Sequence, residues 1–93
     1  KISADLLQVR IPAKSHLVGV EVLELRLPKD TVVSLIIRDD RPFYPGARER
    51  IQAGDELLIV TPEDQRANTE ERLRAVGQHG RLARWRSRTE RSR

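Results

Sequence analysis

The sequence predicts a small α+β domain, a β-α-β-β-β-α unit with a mostly antiparallel sheet and two helices that works as a homodimer. Three observations predict it. Short apolar segments rich in Val, Ile and Leu are separated by turns carrying Pro, Gly and Asp, the punctuation of strands. The last such segment runs straight into Thr61-Pro62-Glu63-Asp64, which reads as the start of a helix. Only Phe43, Tyr44 and Trp85 are aromatic among the 93 residues. A chain this short buries roughly two-thirds of the surface it exposes when unfolded, so a core of aliphatic side chains has to be packed closely or shared with a second copy.

The elements follow in order. Leu7, Val9 and Ile11 alternate with Gln8 and Arg10, the period of a strand with one buried face, and Pro12 ends it. Ser15 is placed to cap a helix through Leu25, with Val18, Val22 and Leu25 recurring at i, i+4 and i+7. Pro28, Lys29 and Asp30 make a turn into Thr31 to Arg38, the most apolar stretch of the chain. That stretch is β-branched and does not alternate, as expected of a central strand covered on both faces, one by the helices and one by a second subunit. Asp39-Asp40 turns the chain into a short strand at Pro42 to Tyr44, where the proline implies an edge. Gln52-Ala53-Gly54-Asp55 is a tight turn into a strand from Glu56 to Val60. With Thr61 as its N-cap, the final helix is expected to reach Val76 and stop at Gly77, to turn Thr69, Leu73 and Val76 inward, and to pair Glu70 with Arg74.

Charge divides the chain in two. Residues 79 to 93 hold six Arg against Glu90, a formal +5, whereas residues 1 to 78 hold twelve Lys and Arg against thirteen acids, a formal −1. The expected domain, residues 4 to 78, is therefore nearly neutral and lacks the basic face that nucleic-acid binding needs. The tail from 79 to 93 reads as a disordered, solvated end. Two other readings stay open: Arg side chains on an anionic membrane surface with Leu82 and Trp85 dipping in, or phosphate contacts to RNA or DNA with Trp85 stacking on a base.

The absence of Cys excludes disulfides and thiolate metal sites. No apolar run approaches the 18 or so residues a membrane helix needs. The chain opens at Lys1 and contains no Met, which reads as a segment of a longer polypeptide. Catalysis is not expected: Ser15 and His16 are adjacent, so their side chains diverge, and the Asp39-Asp40 pair reads as a solvated turn with too few ligands for a cation. No glycine-rich phosphate loop is present in the sequence.

The residues also resemble a known family. Ile11-Pro12, then Ser15, Leu17, Gly19, Val22, Glu24, Leu25 and Leu27, resemble the opening of the TrkA C-terminal domain, also called the RCK C-terminal domain. Val33, Leu35, Ile37 and Arg38 before an acidic hairpin, then Pro45 and the run from Ala53 to Val60, extend the likeness over residues 5 to about 62. The resemblance implies a dimeric regulatory module on the cytoplasmic face of the membrane, attached to a potassium channel, uptake system or cation/proton antiporter. Leu27-Pro28 before the strand and the Thr-Pro helix start look most like domains at the C-terminus of potassium/proton antiporters, with the transporter portion in the same polypeptide.

Several members of that family bind cyclic di-AMP between subunits, through the segment joining the first helix to the second strand. The resemblance carries this role to Arg26, Leu27, Val32, Val33 and Ser34, with no cofactor beyond that regulatory nucleotide. Arg26 stands where some binders have an Arg. Val32 stands where they have an Asn, and a valine offers no side-chain hydrogen bond. Besides a ligand sensor, a purely structural dimerisation module and a nucleic-acid binder acting through the tail are the alternative functions.

Overall fold

In the computed structural model, which describes residues 3–79, four strands form one antiparallel sheet in the order β1-β4-β2-β3. They are β1 (Ala4–Arg10), β2 (Val32–Arg38), β3 (Arg41–Phe43) and β4 (Glu56–Pro62). The apolar run is interior, as its composition predicts, lying between β4 and the short proline-bearing edge strand β3. A helix, α1 (Arg66–His79), follows β4. Of the basic tail, only His79 lies among the described residues, as the last residue of α1.

The register explains why β2 does not alternate. Val33 pairs with Ile59 and Leu35 with Leu58, so Ser34 is an extra residue, a β-bulge. Its hydroxyl donates to the Leu58 carbonyl at 2.9 Å, which satisfies a ladder acceptor that the bulge disturbs. Because of the insertion, Val33 and Ile36, three residues apart, face the same way as Leu57, Ile59 and Thr61. All five are buried. This face is covered by Leu17, Val20 and Leu25 from the segment after β1, by Ile51, and by Leu73 and Val76 of α1.

Here the expected first helix gives way to looser structure. Residues 15 to 25 hold only a 3-10 turn at Val22–Leu25, preceded by tight turns, so the unit has one α-helix where two were expected. The cause is local. Gly19 sits at φ +88, outside any right-handed helix, and β-branched Val18, Val20 and Val22 resist helical packing. The Ser15 hydroxyl accepts from the Leu17 N–H at 3.0 Å and so closes a turn. Backbone bonds from Gly19 to Ile51, from Ile51 to Val20 and from Val22 to Glu49 replace the missing helical ladder.

The second helix starts later and runs further than its sequence signals suggest. β4 continues through Thr61 and Pro62, a 3-10 turn occupies Glu63–Gln65, and α1 runs past Gly77 to His79. Thr69, Leu73 and Val76 do face inward. Glu70 pairs backwards with Arg66 at 3.3 Å, and Arg66 also reaches Asp5 of β1 at 3.4 Å.

The β2-β3 hairpin turns at Asp39 (φ 53) and Asp40 (φ 64), the doubly left-handed geometry that matches strand twist. At its base Arg38 forms a two-pronged pair with buried Asp55, Nε to Oδ1 and Nη2 to Oδ2, both 2.9 Å. It also donates to Glu49 at 3.0 Å and to the Arg50 carbonyl at 3.1 Å, and it stacks 4.9 Å from the Phe43 ring centre. Burial alone would push Asp55 up; the guanidinium and the Gln52 N–H outweigh it and hold the carboxyl below its ordinary value. The bond to Asp55 likewise outweighs desolvation at Arg38 and raises its already high pKa. This network clasps the end of β2 to the turn that feeds β4.

Candidate functional site

Where the 3-10 turn hands over to β2, the chain leaves a cleft of about 380 Å³. Leu25 plugs the core, and the chain then has to reverse within six residues to begin β2. It does so through two non-glycine residues in the left-handed region, Arg26 (φ 49) and Asp30 (φ 62), a conformation that costs L-residues energy and recurs at binding sites. The Thr31 N–H closes the turn onto the Pro28 carbonyl at 3.2 Å.

Val22, Leu23 and Leu27 form one wall of the cleft, Val32 and Val33 the other, and Arg26 and Thr31 supply its side-chain polar groups. Four of the five residues expected at a ligand site therefore come together: Arg26, Leu27, Val32 and Val33. Ser34 does not line the cleft; its hydroxyl is spent on the bulge. Reading the sequence missed Val22, Leu23 and Thr31. The signal for Thr31 is its place just before the strand; for the other two it was hidden by assuming a helix there. Chemically, the cleft combines a cation, one hydroxyl and apolar walls, a set suited to a small ligand that carries negative charge on an otherwise apolar body.

A second groove, about 540 Å³, runs between β1 and α1 and includes Leu7, Leu73, Arg66, Glu70 and Arg74. Arg66 is already matched by Glu70 and Asp5, which leaves this groove less cationic than its composition suggests. Asp39 and Asp40 sit at the exposed hairpin tip. Among the described residues no group of three or more His, Cys, Asp or Glu could hold a metal ion, and no helix is long and apolar enough to cross a membrane.

The outer face of the sheet borders the cleft through Val32. Leu6 pairs with Val60 and Val60 with Val32, which makes a cross-sheet apolar row whose ends are 63% and 54% exposed. Leu58 pairs with Leu35 beside it, and both are only half-buried. No element of the described chain packs over this row.

Comparison with known proteins agrees with the fold. The chain is 37% identical over 57 residues to the Trk system potassium uptake protein TrkA of Mycobacterium tuberculosis, in strains CDC 1551 / Oshkosh and ATCC 25618 / H37Rv. The match covers 61% of this chain and 26% of those proteins, so the chain spans about a quarter of their length. A solved structure described as an RCK domain with cda superposes with a TM-score of 0.54 at 14% identity, covering 72% of this chain and 94% of that one, a likeness of fold. The TrkA-C domain family matches residues 6–74, a span that holds all four strands but for the first two residues of β1, the cleft and most of α1, and the chain belongs to that family.

Proposed function

We propose that this domain is the regulatory, dimerising module of a bacterial cation transporter, a potassium/proton antiporter, and that it sits at the cytoplasmic face of the membrane portion of the same polypeptide. The observation that carries the reading is the junction of two features at Val32: a cleft holding the Arg26 cation beside apolar walls, and an apolar row on the sheet that is exposed at Leu6 and Val32. A second copy seated on the Leu6, Val60 and Val32 row would place two such clefts near the subunit boundary, where one ligand could touch both. The relatives named for potassium uptake support the transport setting.

The ligand proposed is cyclic di-AMP, gripped at a phosphate by Arg26 and at its bases by Leu27, Val32 and Val33. A ligand shared between subunits biases the transporter by the difference in its affinity for two dimer arrangements. Calorimetric titration of the chain with cyclic di-AMP tests this, together with sedimentation. Saturable heat and a dimer are the expected results. A dimer that gives no heat with any nucleotide would leave the purely structural reading, which the apolar row favours on its own.

A further inference from the structure

Beneath the cleft runs a chain of three hydroxyls. Thr31 Oγ1 lies 2.8 Å from Thr61 Oγ1, and Thr61 Oγ1 lies 2.9 Å from Thr69 Oγ1. Three separate elements are joined this way: the turn before β2, the end of β4 and the first turn of α1. Thr61 and Thr69 are fully buried, so bulk water does not compete for their protons.

Each threonine has one proton to give and can accept on its oxygen, and in both pairs either oxygen can be the donor. The Thr31 hydroxyl also has the Lys29 carbonyl at 3.4 Å, far longer than the roughly 2.7–2.8 Å usual for hydroxyl donors, so that contact does little to hold it. A group entering the cleft that bonds Thr31 therefore acts on a hydroxyl coupled through Thr61 to Thr69.

We propose that Thr31 joins Arg26 in the cleft to bind an anionic oxygen of phosphate type, and that the hydroxyl chain through Thr61 and Thr69 ties occupancy of the cleft to α1. The inference rests on the cleft being the ligand site. It adds the group that is recognised and the route by which binding reaches the helix.

The test is titration of the 93-residue chain with cyclic di-AMP, AMP and inorganic phosphate, in wild type, T31V, T31S and T69V, with amide hydrogen exchange read over residues 66 to 79. Losing a hydrogen bond to a charged group corresponds to roughly a tenfold or larger fall in affinity for T31V, whereas T31S stays close to wild type. T69V, which does not touch the cleft, weakens binding and removes the protection that ligand confers on α1. Inorganic phosphate binding as tightly as the nucleotides would identify the free anion as the ligand; tighter nucleotide binding identifies the phosphate of a larger molecule. Wild-type binding that T31V and T69V leave unchanged overturns the hydroxyl chain and spares the cleft. Absence of binding by all three probes overturns both. Should a valine variant fail to fold, ligand binding to the wild type without new α1 protection is enough to reject the link to the helix.

Discussion

The two faces of the sheet are built from the same kinds of residue and meet opposite fates. On the inner face Ile36, Leu57 and Ile59 are fully buried beneath α1 and the loop segment. On the outer face Leu6, Val60 and Val32 form an equally apolar row with nothing of the described chain above it. The inner face spends its hydrophobicity on folding; the outer face leaves its own exposed at Leu6 and Val32. The difference in burial means that the same type of substitution should have different consequences on the two sides.

The largest contrast comes from placing a charge on each face. Ile36→Asp puts a carboxylate among fully buried aliphatics, at a cost of several kcal/mol, and should abolish the cooperative melting transition; an unchanged melting temperature would move Ile36 to the surface. Next is the clasp. Asp55→Asn leaves Arg38 without its two-pronged partner and should destabilise by about 3 kcal/mol, measured by urea unfolding.

The same carboxyl gives a pH dependence. Its folded pKa is depressed, so its contribution is complete above the ordinary carboxylate value of about 4 and is lost as pH falls through the lower folded value. Wild-type stability should therefore drop in that acid window, and the drop should shrink in Asp55→Asn. An equally steep acid limb in the variant would show that other carboxylates cause it.

On the outer face, Val32→Lys should leave the melting of the protomer nearly unchanged, and, if the proposed dimer forms through this row, sedimentation should shift from dimer to monomer. Dimers that persist would place the interface elsewhere. The smallest effect is expected at Glu70→Ala, where both partners of the pair with Arg66 are largely solvated and exposed ion pairs add little. A clear fall in melting temperature there would mean that the groove between β1 and α1 is held by charge.

The strands were legible because each carries its own signal within a few residues: the alternation of Leu7 and Val9, the β-branched run before Arg38, and Gly54 at positive φ before β4. The first helix was misread because Val18, Val22 and Leu25 fit a helical period by spacing alone. Tertiary backbone bonds to Glu49 and Ile51 decide that segment, and no local pattern announces them. The start of α1 was misplaced for a related reason. Thr61 looks like a cap, yet its hydroxyl is used between Thr31 and Thr69, partners that become neighbours only on folding. At the cleft, the resemblance located Arg26, Leu27, Val32 and Val33, but Thr31 acquires its meaning from a chain of contacts spread over 38 residues of sequence.

Ser34 has a consequence for how the chain tolerates change in length. Strand sidedness is a two-step count, and this one additional residue shifts the count midway through β2. Deleting it would leave Val33 and Ile36 two residues apart, both still facing the interior, with Leu35 and Ile37 still on the outer face. The bulge is thus a place where β2 can lose a residue and keep its faces, forfeiting the Ser34 hydroxyl's hydrogen bond to Leu58 by deletion as by substitution.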